Sequence, residues 1–148
     1  MANKKVLIVY HSQGGNTEAA AQAVAEGVSS VEGVKPAVKR ALEATAEDLT
    51  GCNAVCLGTP DYFSYMAGML KDFFDRTFYP TQGQVEGKPC GIFVTHGGGG
   101  KAGESVEKIC KSFKFKQIVP TVMMKNKPDE AGRDALRNLG AKLAKAAL

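Results

Sequence analysis

The sequence predicts a three-layer α/β fold, a five-stranded parallel sheet of strand order 2-1-3-4-5 with helices on both faces. Three observations carry that prediction. Apolar runs of strand length alternate with stretches of helical periodicity along all 148 residues. The first, third and fourth runs are free of proline and nearly all apolar, as central strands covered on both faces should be. The second and fifth contain Pro36 and Pro120, which cannot donate to a ladder and so belong at sheet edges.

Each element has its own signal. Lys5–Tyr10 is apolar after its lysine and forms the first strand. The helix that follows, Glu18 to Ser30, sets Ala20, Ala21, Val24, Val28 and Val31 on one face. Val34–Leu42 is a weaker strand, and Ala44–Leu49 makes a short helical turn. Asn53–Gly58 is the third strand, after which Met66, Met69, Leu70, Phe73 and Phe74 follow helical spacing. Cys90–Thr95 is the fourth strand, and Val106, Ile109, Cys110 and Phe113 mark the next amphipathic helix. Gln117–Met124 is the fifth strand. A last helix begins at Pro128 and buries Ala135, Leu136, Leu139 and Leu143.

Length and composition bound the function. A chain of 148 residues suits one domain, residues 1–148, with a full core of its own. It shows no 18-residue apolar run and no charged-then-apolar leader, which predicts a cytoplasmic protein without a membrane span. Cys52, Cys56, Cys90 and Cys110 lie in or beside apolar segments without close C-x-x-C spacing, so they read as buried reduced thiols and not as a metal site. The net charge of +4 is uneven: residues 101–148 carry 11 basic and 5 acidic side chains, residues 1–100 carry 8 and 10. The basic third reads as a solvated face, and its lysines do not interleave with exposed aromatics as in a nucleic-acid binder.

The order 2-1-3-4-5 puts a switch point between strands one and three, and ligands bind above the carboxyl ends there. Three unusual loops meet at that edge. Tyr10-His11-Ser12-Gln13-Gly14-Gly15-Asn16-Thr17 is a strand running through a polar turn into a helix, the geometry that offers backbone N–H groups to a phosphate. It has neither the Gly-Lys-Ser/Thr of a triphosphate loop nor G-x-G-x-x-G, so it suits one monophosphate; an ordinary turn with Asn16 as the helix cap is the competing reading. Gly58-Thr59-Pro60-Asp61-Tyr62-Phe63-Ser64-Tyr65-Met66 places three aromatics within four residues. Tyr62 or Phe63 could stack on a flat ring, while Tyr65 is expected to tuck under the next helix. Thr95-His96-Gly97-Gly98-Gly99-Gly100-Lys101 lets peptide N–H groups approach a ligand edge with no Cβ in the way, unless it is simply a flexible turn. His96 there is a candidate hydrogen-bond donor, whereas His11 reads as a packing or solvated histidine. Receiver and phosphatase chemistries fail on these loops. The first lacks the acidic pair and the Asp ending strand three, the second the Cys and Arg of a phosphate loop.

Taken together, the Tyr10–Glu18, Gly58–Phe63 and Val94–Gly100 stretches resemble the flavodoxin-like FMN-binding family, and the Thr59–Gly68 run is most similar to its short WrbA-type and multimeric flavodoxin members. The resemblance covers nearly the whole chain. It implies non-covalent FMN, with Ser12, Gly15, Asn16 and Thr17 on the phosphate and Gln13 and Gly14 in the same loop. Pro60, Asp61, Tyr62, Phe63 and Ser64 would line the isoalloxazine, and Thr95, His96, Gly97, Gly98 and Gly99 would face its pyrimidine edge. The implied role is electron transfer through the flavin to a redox partner protein or a small-molecule acceptor, with room for a homodimer. An NAD(P)H-dependent FMN/quinone reductase is the alternative, and an interaction module that has lost its flavin a third. The basic balance, and His96 where electron carriers usually place an aromatic, lean towards two-electron chemistry. The resemblance assigns no catalytic residue.

Overall fold

In a computed structural model, residues 3–148 are described. The elements run β1 (Lys4–Tyr10), α1 (Asn16–Ser29), β2 (Val34–Arg40), α2 (Ala46–Gly51), β3 (Ala54–Pro60), α3 (Gly68–Thr81), β4 (Pro89–His96), α4 (Ala102–Phe113), β5 (Lys116–Gln117), β6 (Val122–Lys125) and α5 (Glu130–Ala147). All pairings are parallel in the order β2-β1-β3-β4, and β4 then pairs with both β5 and β6. The predicted order is the one observed, with Pro36 on one edge strand.

The last strand departs from the expectation of a single run over Gln117–Met124. β5 pairs with Pro89 and Cys90 at the start of β4 and β6 with Phe93 to His96 at its end; Ile118 still donates its N–H to the Cys90 carbonyl (3.1 Å), and Val119 to Thr121 loop out between them. Pro120 has no N–H for a ladder and biases Val119 away from helix, so the chain leaves the sheet there and rejoins it at Val122. The Gln117 amide donates to the Val119 carbonyl (3.1 Å) and to Thr121 Oγ1 (3.2 Å), which closes the excursion on itself.

Two apolar layers sandwich the sheet. On one side α1 and α5 cover Val6, Ile8, Cys56 and Phe93. Gly27 and Gly140 let these two helices touch: a Cβ at either would fall on a carbonyl of the other helix, Arg137 or Val24. On the other side α2, α3 and α4 cover Leu7, Val9, Leu57 and Ile92, and Phe73, Phe74 and Phe113 fill the space between. α2 starts with a capping box, the Asp48 N–H donating to Thr45 Oγ1 (3.1 Å) and the Thr45 N–H to Asp48 Oδ2 (2.9 Å). The four cysteines are free and buried. Cys52 precedes β3 and packs on the opposite layer from Cys56.

Three local expectations are corrected. Met66 lies before α3, buried, and Met69 in its first turn is more than a third exposed, so the buried face of that helix begins at Leu70. Tyr65 does not tuck under α3; it is 44% exposed, because the chain turns back on itself at residues 62–65. Val31 and Ala135 are only partly buried. No helix among the described residues is long and apolar enough to cross a membrane.

Candidate functional site

Where the strand order reverses, a cleft of about 280 Å³ opens above the carboxyl ends of β1, β3 and β4. Its lining comes from the three loops singled out in the sequence: Ser12, Gln13, Gly14, Asn16 and Thr17; Pro60, Asp61 and Tyr62; Thr95, His96 and Gly97.

The first loop is built around Gly15. Its φ of 99° is left-handed, and it stands at the N-cap position with no side-chain cap on α1. The competing reading of Asn16 as the helix cap does not hold: Asn16 is the first residue of the helix. Ser12 Oγ accepts the Gly15 N–H at 3.0 Å and tightens the turn. Among the described residues the N–H groups of Asn16, Thr17 and Glu18 find no acceptor, leaving the positive end of α1 at the cleft. Behind them the buried hydroxyls of Thr17 and Thr95 share a hydrogen bond of 2.7 Å, tying the first loop to the end of β4. The Tyr10 hydroxyl donates to Glu18 Oε2 at 3.1 Å and pins the first turn of α1 to β1; burial raises its pKa.

The second loop separates its aromatics. Tyr62 lines the cleft, with the His11 ring edge-on at 6.2 Å, while Phe63 is fully exposed. Burial, and then the nearby Arg40 charge, lower the His11 pKa below its ordinary value, so the ring behind Tyr62 is neutral at pH 7. Tyr62 and Tyr65 exchange backbone hydrogen bonds of 3.0 and 3.1 Å around Phe63 and Ser64, whose φ values of 59° and 63° are both left-handed. Such a turn normally takes Asn-Gly, and each non-glycine residue there costs about 1 kcal/mol or more.

The third loop carries an unpartnered atom. His96 Nδ1 is buried without a hydrogen-bond partner, alone in this among the buried side-chain nitrogens and oxygens of the described residues. Gly98 and Gly99 are exposed and stand outside the lining, as do Gly15, Phe63 and Ser64. Asn126, at the end of β6, lines the cleft and was not anticipated; its N–H donates to the His96 carbonyl at 2.8 Å, and its φ is 61°. The polar turn after the last strand was its one sequence signal, since every carboxyl end of the sheet opens on the same edge.

These groups fit a ligand with a phosphate at one end and a flat ring at the other. Free helix N–H groups stand on one side, an aromatic wall and the His96 residue on the other. Fold and cleft define a class, the doubly wound proteins that hold one mononucleotide at the switch point. The model of the family "NADPH-dependent FMN reductase" matches residues 29–129. A flavodoxin of Aquifex aeolicus (strain VF5) is 30% identical over 157 residues, covering 95% of this chain and 85% of its own. A flavodoxin from the domain Archaea superposes with a TM-score of 0.88 at 23% identity, over 97% of this chain and 98% of that one. A WrbA-like flavodoxin from Agrobacterium tumefaciens gives 0.81 at 20% identity, over 98% of each chain. The chain belongs to the flavodoxin-like FMN-binding family, its cofactor is FMN, and it is a redox protein that transfers electrons through that flavin.

Proposed function

We propose that residues 1–148 act as one flavin domain. In this reading the β1–α1 loop holds the FMN phosphate, and the ring lies between the loop after β3 and the loop after β4. The uncapped N-terminus of α1 is the observation that carries the assignment, since Asn16 and Thr17 line the cleft beside Ser12 and their N–H groups have no acceptor. Tyr62 and not Phe63 supplies the aromatic wall, because it lines the cleft while Phe63 stands in solvent. Gln13, Gly14, Pro60 and Gly97 complete the lining. Gly15, Ser64, Gly98 and Gly99 act by shaping the loops. His96, which lines the cleft at the end of β4, is the candidate partner for the pyrimidine edge.

FMN supplies reversible one- or two-electron chemistry, delivered here to a redox partner protein or a small-molecule acceptor. A second reading, an NADPH-dependent reductase, is favoured by the family match and by the cleft's charge. Asp61 is the only carboxylate in the lining, and both its oxygens already accept protein N–H groups. Negative surroundings disfavour a fully reduced, anionic flavin, so a cleft poor in free carboxylate suits two-electron transfer.

Three measurements test this. Ser12→Ala should weaken FMN about tenfold, the effect of one hydrogen bond to a charged group, and leave riboflavin unchanged. Equal losses for both ligands would displace the phosphate from this loop. An anaerobic reductive titration followed by visible spectrum then separates the roles: two resolved one-electron stages mark a carrier, a single two-electron stage the reductase. His96→Ala should make full reduction harder, and an unchanged midpoint potential would remove His96 from the ring site.

A further inference from the structure

Asp61 was expected among the residues that touch the cofactor, yet its carboxylate faces the protein. Oδ1 accepts the Ser64 N–H at 2.8 Å, inside the left-handed turn. Oδ2 accepts the Ala102 N–H at 3.1 Å, at the first residue of α4, a helix whose own N-cap residue Lys101 makes no side-chain cap. The Asp61 N–H meanwhile donates to the Thr95 carbonyl at 2.9 Å, and Gly99 passes beside the carboxylate, where a Cβ would lie 3.6 Å from Oδ2. A second link closes the far end of the same loop: Ser105 Oγ accepts the Met66 N–H (3.0 Å) and donates to the Ala102 carbonyl (2.6 Å). One carboxylate thus caps a helix from outside it and holds a strained turn.

We infer that Asp61 is a positioning residue that couples the two ring-binding loops into one unit, with Ser105 as its lesser partner. This rests on the assignment of those loops to the flavin ring. Phe63 and Ser64 stay left-handed because Asp61 holds the Ser64 N–H, and the glycine-rich loop keeps its place because the same side chain anchors Ala102 at its end. The phosphate loop shares no hydrogen bond with Asp61, so the coupling acts on ring affinity alone.

The test compares FMN with riboflavin, by quenching of flavin fluorescence, in wild-type protein and in Asp61→Ala. Asp61→Ala should weaken both ligands by the same factor, about tenfold or more for two hydrogen bonds to a charged group, leaving the FMN-to-riboflavin ratio at its wild-type value. Hydrogen exchange should rise together at residues 62–66 and 100–103 with the sheet unchanged. As a control, Leu139→Ala, buried away from the cleft, should lower thermal stability without moving riboflavin affinity. Should Asp61→Ala fail to fold, Asp61→Asn, which keeps one acceptor, and Ser105→Ala should each give part of the effect. Unchanged riboflavin affinity, a loss confined to FMN, or faster exchange in only one loop would overturn the coupling. Failure of wild-type protein to bind either flavin would instead overturn the ring-site reading beneath it.

Discussion

On one face of the sheet α1 and α5 meet backbone to backbone; on the other, α3 and α4 are kept apart by phenylalanine rings. The first contact is made of glycine and alanine, Gly27 and Gly140 with Ala20, Ala21, Ala23 and Ala144 packed around them. The second is aromatic, with Phe73–Phe74 at 5.7 Å, Phe74–Phe113 at 5.5 Å, Phe78–Phe113 at 5.0 Å and Phe113–Phe115 stacked at 5.1 Å. Each face carries one end of the cleft: α1 begins at the phosphate-type loop, and α4 follows the glycine-rich loop. Where the backbones touch at Gly27 and Gly140 the contact leaves no slack, and α1 is fixed there behind the phosphate-type loop. A contact made of rings has slack, and on that side polar staples at Asp61 and Ser105 set the geometry.

The two faces should therefore respond to opposite insults. Removing volume hurts the aromatic face most: Phe73→Ala should cost about 3–5 kcal/mol in urea unfolding, with the slope unchanged. A loss below about 1 kcal/mol would mean that the rings do not carry that layer. Adding volume hurts the other face. Gly140→Ala gains about 1 kcal/mol of helix propensity and should still come out destabilised by about 1–3 kcal/mol, because the new methyl meets the Val24 carbonyl and no rotamer relieves it. Gly91→Ala meets only the methyl ends of Leu139 (2.8 Å) and Leu143 (3.0 Å), which can turn aside, so its cost should be smaller. Equal losses at Gly140 and Gly91 would break the contrast.

The Thr17–Thr95 pair sharpens it at the seam. Thr95→Val strands a buried hydroxyl and should cost about 1 kcal/mol, whereas Thr17→Val with Thr95→Val should cost less than the two singles summed. Strict additivity would show that the hydroxyls do not interact. The smallest effect concerns His11. Its folded pKa lies below the ordinary 6.5, chiefly through burial and secondarily through Arg40, so the unfolded chain binds the proton more readily. Its contribution to stability is therefore complete above pH 6.5 and declines as the pH falls from there through the folded pKa. In an NMR titration Arg40→Ala should raise the His11 midpoint but leave it below 6.5, since burial remains.

The strand order was legible because two prolines sorted edge from centre and the central strands are uniformly apolar. The site was legible because three loops of odd composition had to meet at one sheet edge. Less could be read where one residue answers to a distant one. Nothing local marks Asp61 as the cap of a helix that begins 41 residues later, nor Gly15 over Asn16 as the N-cap of α1, since that depends on a backbone angle. Likewise Pro120 announced an edge but not a break, because the rejoining of β6 depends on its register with Phe93 to His96.

The interrupted last strand has a consequence for crowding in solution. An open parallel sheet has two bare rims, each a template onto which a foreign strand could zip. Here one rim includes a prolyl nitrogen at Pro36, and the other is cut into two pieces of two and four residues with Pro120 in the gap. Neither rim offers the unbroken row of amides that fibril growth or sheet-to-sheet docking requires. Growth of the sheet at either rim is thereby disfavoured.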